Sequence, residues 1–223
     1  MNARPTSSGW GTIVVLGSVW GLAEAALGVF LRSCAHLASG SIMTGAALFF
    51  LAAGWMRTRR AAGPLLLVVL ASGFKLLDAA LLGLPVMHGA VGNPVFAIVT
   101  EGLAFLLIVP FLAERRKGRF AGQAFLGGAS ALLAVNVFPL VKFATGIPAC
   151  VIPGGTTPLS LYYAPLAVGL SLLTVPAGFW LGGRALTWEG KLAARRPAKP
   201  VAALLPAASA LVCLAVLLVL RLV

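Results

Sequence analysis

Residues 94–113 read PVFAIVTEGLAFLLIVPFLA, and Glu101 is the only ionisable side chain in the run. As a helix rising 1.5 Å per residue, such a run spans about 30 Å, the thickness of a bilayer's hydrocarbon core. It does not alternate polar and apolar positions, so a barrel strand is excluded and a helix remains. This stretch settles two matters: the chain crosses lipid, and it carries an acid into the lipid with it.

Six other apolar runs of similar length flank it: Gly11–Leu31, Leu37–Met56, Ala61–Leu84, Phe120–Val141, Leu161–Leu181 and Val201–Leu220. Together they predict an all-α, polytopic transmembrane helix bundle of six or seven spans. The second is the least regular, with Ser39, Gly40 and Ser41 in its first turn. Composition agrees. Of 223 residues, 60% are hydrophobic and 10% charged, against roughly 45–50% and 25% in a soluble domain. The expected organisation is a bundle over 1–188, a basic cytoplasmic linker over 189–200 and a further C-terminal span over 201–223.

The net charge of +12 does not indicate nucleic acid. The cations fall in short clusters between apolar runs, with no basic face and no interleaved aromatics. Arg57, Arg59 and Arg60 follow the second span; Arg115, Arg116, Lys117 and Arg119 the fourth; Arg184, Lys191, Arg195, Arg196 and Lys199 the sixth. With Arg4 they make 13 of the 17 basic residues and lie on one side, leaving Arg32 and Arg221 on the other. The positive-inside rule then puts the N-terminus in the cytoplasm. Ala23-Glu24-Ala25 is a small-residue pattern of the kind a signal peptidase cuts, but the apolar run continues through Phe30, which favours a retained span.

A charge at the bilayer centre costs about 2.5–3.5 kcal/mol, so charges there face inward and are paired. Here they are Glu24, Lys75, Asp78 and Glu101. Counted from the expected outer span ends, all lie roughly 9–14 Å deep, a common level on three helices. Lys75 and Asp78, three apart, share a helix face. Glu24 and Glu101 are left needing a proton or a further cation, and Asn93 and Asn136 add neutral hydrogen-bonding groups nearby. The bland alternative is interhelical glue, at about 0.6 kcal/mol per polar pair. One shared depth favours a substrate pocket.

Other features are weaker. Cys34, Cys150 and Cys213 form no CxxC, and a single Cys34–Cys150 bridge competes with two unpaired residues. His36, His88, Met87, Cys34 and Cys150 cluster in outer connections, but their spacing carries no metal signature and no metal is expected. No nucleophile motif or HExxH occurs, so no enzyme is expected, and no cofactor is assigned. The outer loop Phe143–Ser160, with Pro148, Pro153, Gly154, Gly155 and Pro158, is long enough for a cap over the mouth. Gly17, Gly21 and Ala25 form a small-residue strip for close helix approach, with Gly28 at the next turn.

The stretches Gly17–Ala25, Ser39–Met43 and Asn93–Glu101, set among basic cytoplasmic loops, resemble the substrate-binding S components of energy-coupling factor (ECF) vitamin transporters of bacterial cytoplasmic membranes. The resemblance is architectural and covers about the first six spans. It implies that Gly17, Gly21 and Ala25 dock a transmembrane coupling subunit that works with ATPases. It also implies that Arg32–Ser41 and Phe143–Ser160 are lids, and that Glu24, Lys75, Asp78, Asn93 and Glu101 hold a small polar, vitamin-like solute; two or more acids near one lysine favour a cationic or zwitterionic one. Such components usually have six helices, so Val201–Leu220 is a departure. The chain itself has no P-loop. Runner-up expectations are a stand-alone proton- or cation-coupled carrier and a ligand-free accessory or assembly subunit.

Overall fold

The structure is a computed structural model. It describes the backbone of residues 7–34, 38–113, 120–152, 154–195 and 199–222, and the side chains of 9–26, 38–111, 120–152, 154–188 and 204–222. The described residues form α1 (Ser7–Cys34), α2 (Ser39–Thr58), α3 (Ala62–Leu81), α4 (Gly89–Ala113) and α5 (Phe120–Val137). A 3-10 turn (Phe138–Leu140), α6 (Val141–Thr145), α7 (Leu159–Tyr162), α8 (Ala164–Arg195) and α9 (Lys199–Leu222) follow. Seven helices are long and apolar enough to cross a membrane. Their outward faces carry Val69, Leu103, Leu107, Leu173, Trp180, Leu211 and Val219, all exposed, as a lipid-facing surface must be. The chain is an all-α, multi-pass membrane bundle.

Helix ends follow local chemistry more than hydropathy. α3 stops at Leu81 because Gly83 takes a left-handed φ of 64°. Gly83 N–H then donates to Ala80 O (3.1 Å) and Leu84 N–H to Ala79 O (2.9 Å), the paired bonds of a Schellman cap. α4 starts at Gly89, five residues ahead of Pro94. His88 Nδ1 accepts the Ala90 N–H at 3.2 Å and so serves as its N-cap. α8 continues through Arg195, so the first part of the expected 189–200 linker is helix. α9 packs against α1 and α3.

α2 is the hub, packed on α1, α3, α4, α5 and, most extensively, α8. Its contact with α8 is backbone-close. A Cβ on Gly178 would collide with Phe49 O, and one on Gly182 would sit 2.7 Å from Ala53 O. Gly127 of α5 is pressed in the same way on Ser171 O of α8. Lipid gives no hydrophobic drive between helices, so tight van der Waals approach through small residues supplies it. Trp20, Leu48, Leu51, Leu67, Phe105 and Val175 fill the core.

The small-residue strip of α1 is covered from within. Leu70 of α3 lies on Gly17, with its Cβ 2.8 Å from where a glycine Cβ would be. Phe74 lies on Gly21 in the same manner. Ala25 is fully buried among Phe74, Cys213 and Leu217, the last two from α9. Gly17, Gly21 and Ala25, expected to dock a partner, are therefore packed against α3 and α9 of this chain.

Candidate functional site

Where α1–α4 leave the tight glycine contacts and run outward, they part around a cavity of about 420 Å³. Glu24 from α1, Thr44 from α2, Lys75 and Asp78 from α3, Asn93 and Glu101 from α4 and Arg221 from α9 line it. Met43, Val91, Phe138, Leu159 and Tyr163 supply apolar wall. Of the residues read from sequence as a pocket, Glu24, Lys75, Asp78, Asn93 and Glu101 meet here.

Asn136 does not. It is exposed on α5, and its Nδ2 donates to Leu132 O one turn back at 2.7 Å. The face of α5 that reaches the cavity is the one bearing Ala134 and Val135. Glu24 lies 10 residues before the end of α1, Asp78 three before the end of α3, and Glu101 12 after the start of α4. At 1.5 Å per residue these are roughly 15, 5 and 18 Å, so the helix ends are staggered, and the groups meet around one cavity.

Asp78, 2% exposed, is held between two cations. Lys75 Nζ lies 3.1 Å from Oδ2, and Arg221 Nε donates to Oδ1. Arg221 also donates from Nη2 to the Ala25 carbonyl at 3.3 Å, tying α9 to α1. One carboxylate shared by two cations leaves this end of the cavity with a formal charge of +1.

The other end is acidic. Glu24 accepts the Trp20 indole N–H at 3.1 Å, a bond that the i, i+4 spacing on α1 sets up. Glu101 is hydrogen-bonded by Thr44 from α2 and lies within charge–charge reach of Glu24. Both are buried, at 5% and 4% exposure. Among the described residues neither forms an ion pair. Desolvated like charges this close destabilise one another unless a cation or proton intervenes. The buried Asn93 Oδ1 and Ser160 Oγ also have no hydrogen-bond partner among the described residues, and both residues line the cavity.

The outer loops reach the mouth. Residues 150–152 and 154–159 pair as a small hairpin, with a Val151–Pro158 bridge, Leu159 N–H to Cys150 O at 2.8 Å, and Gly154 at φ 77°. Cys150, Leu159 and Ser160 line the cavity, as do Ser39, Gly40 and Ser41 at the start of α2. Ser41 Oγ donates to Tyr163 O at 3.1 Å, which joins the two rims. Residues 35–37 of the other expected lid, including His36, lie outside the described residues, as does the side chain of Cys34. Cys150 is exposed and its thiol is free. No group of three His, Cys, Asp or Glu placed for a metal occurs among the described residues.

Sequence reasoning missed Arg221, Thr44 and Trp20. The Trp20–Glu24 spacing was there to be read. Nothing in sequence links Arg221 to Asp78, which is 143 positions away.

No family model matches the chain, and neither a curated protein nor a solved structure matches it. Fold and cavity define a class: a multi-pass membrane protein with a charged, partly apolar chamber among its helices.

Proposed function

We propose that the chain is a solute-binding component of membrane uptake. A small polar solute enters the chamber from the outer face, is held by Glu24, Glu101, Lys75, Arg221 and Asn93, and is delivered inward. The carrying observation is a cavity of about 420 Å³ on which three carboxylates and two cations from four helices converge. Known small-molecule sites have this size and this mixture of apolar wall with a few polar groups. Groups that served only as glue would close on each other and leave no such space. We assign binding to the site and no catalysis.

The resemblance to ECF S components supports the pocket and the lid role of residues 143–160. It does less for the partner. The α1 strip is covered by α3 and α9, so a coupling subunit with ATPases has to dock on another surface. A second reading rests on Glu24 and Glu101 lying together with no ion pair among the described residues. In a carrier acting alone, those carboxylates would take up a proton or metal cation as the coupling ion.

The test uses protein purified gently in detergent, with bound small molecules extracted and identified by mass spectrometry. A stoichiometric solute is expected with the wild-type chain and none with Glu101→Ala or Lys75→Ala, both still inserted and monodisperse. Equal retention by both variants would reject the site. In proteoliposomes, uptake that needs an ion gradient and no ATPase selects the carrier reading.

A further inference from the structure

The two ends of the cavity carry opposite formal charge, and this bears on what fits between them. At one end Lys75 and Arg221 share the single carboxylate of Asp78. Each keeps donors in reserve, since an ammonium has three N–H groups and a guanidinium five. At the other end Glu24 and Glu101 receive only neutral donors, Trp20 and Thr44. Two carboxylates lie there without an ion pair among the described residues, Glu24 having Lys75 as its neighbouring cation, and two cations share one carboxylate at the first end.

Resting on the solute-binding reading above, we infer that the ligand is a compact zwitterion with an apolar body. Its cationic nitrogen sits between Glu24 and Glu101, and its anionic group on Lys75 and Arg221. A cation alone satisfies the acidic end and leaves the excess positive charge facing nothing. An anion alone leaves two buried carboxylates repelling each other. A zwitterion places a charge of the needed sign at each end, leaving the net formal charge of −1 to one proton shared by Glu24 and Glu101, and charge-assisted hydrogen bonds at each end are the strong kind. The ligand's two charges lie close together, since Glu24 is within charge–charge reach of Lys75. Met43, Val91, Phe138, Leu159 and Tyr163 provide apolar surface for the remainder. The unpartnered Asn93 Oδ1 accepts a further N–H.

The class departs from a purely cationic solute because of Arg221. Without α9 the Lys75–Asp78 pair would be neutral and only the acidic end would select. The seventh span thus completes the ligand site.

The experiment is equilibrium binding of a matched series to the full-length wild-type protein in detergent: phenylalanine, phenylalanine amide, which keeps only the cation, and 3-phenylpropionate, which keeps only the anion. Phenylalanine is expected to bind at least about tenfold tighter than either analogue. In Arg221→Gln the preference for phenylalanine over the amide falls toward one, and Arg221→Lys restores part of it. In Glu101→Gln the preference over 3-phenylpropionate falls instead. The wild-type series carries the test if a variant does not fold. An analogue binding as tightly as phenylalanine overturns the zwitterion class and leaves solute binding standing. If none of the three binds, the compound extracted from gently purified protein decides. A molecule bearing both charges supports the inference, and a singly charged or neutral one overturns it. No bound compound at all brings down the proposed function and the inference together.

Discussion

The two halves of this bundle are built from the same helices on opposite principles. In one half, Gly178 and Gly182 bring α8 onto the backbone of α2, Gly54 seats the Leu67 side chain, and Ile13, Leu51, Phe105 and Val109 pack the core. In the other half, the continuations of α1–α4 carry Glu24, Thr44, Lys75, Asp78, Asn93 and Glu101 and hold a cavity open. Small residues bring helices together in lipid, while paired polar groups set their spacing and cost desolvation. A close-packed base therefore carries a polar chamber, an arrangement suited to holding a solute.

Removing the centre of the polar half gives the largest expected effect. Asp78→Ala strips two buried cations of their shared counter-charge, and breaking a buried pair in this way costs about 3–5 kcal/mol. Equilibrium unfolding in mixed micelles should show the loss. Adding Arg221→Met to Asp78→Ala should recover part of it, because one uncompensated cation leaves as well. No loss in the single variant would mean that Asp78 is not what holds α9 to the bundle.

In the apolar half, Gly178→Val drives a side chain into Phe49 O and Ala52 of α2. Overpacking of this kind costs about 1–3 kcal/mol, and the contact here is with backbone, which cannot rotate away. A lowered unfolding midpoint is expected, with solute still retained by the folded fraction. The opposite pattern belongs to Glu24→Gln. Removing one of two neighbouring buried carboxylates should leave stability unchanged or raised while retained solute is lost. That variant separates the chamber's role from the base's more cleanly than any packing change.

The sequence made the base legible and the chamber only partly so. Seven spans and their order follow from apolar runs of bilayer length, because in lipid the backbone must satisfy itself. Span ends were less legible, since they depend on single residues such as Gly83 and His88 that hydropathy does not weigh. Glu24, Lys75, Asp78, Asn93 and Glu101 were legible because a charge or amide in an apolar run has to be answered somewhere. Arg221 was not, because an arginine at the end of a span is ordinarily an interfacial anchor. Only tertiary packing turns it onto Asp78. The strip Gly17, Gly21, Ala25 announced a close contact correctly, but a strip of small residues does not name its partner. Here the partners are Leu70, Phe74 and Leu217 of the same chain.

The two asparagines give the smallest effects. Asn93→Ala removes a buried carbonyl oxygen that has no partner among the described residues, so stability should hold or rise slightly while solute retention weakens. Asn136→Ala removes an exposed amide bonded to its own helix. Its stability change should stay within about 0.5 kcal/mol, as for exposed positions generally, and retained solute should equal the wild-type amount. The pair is informative because both residues read alike in sequence, as amides near the outer end of an apolar run. If retention instead falls with Asn136→Ala and survives Asn93→Ala, the solute binds on the lipid-facing side of α5, and the chamber among α1–α4 is structural.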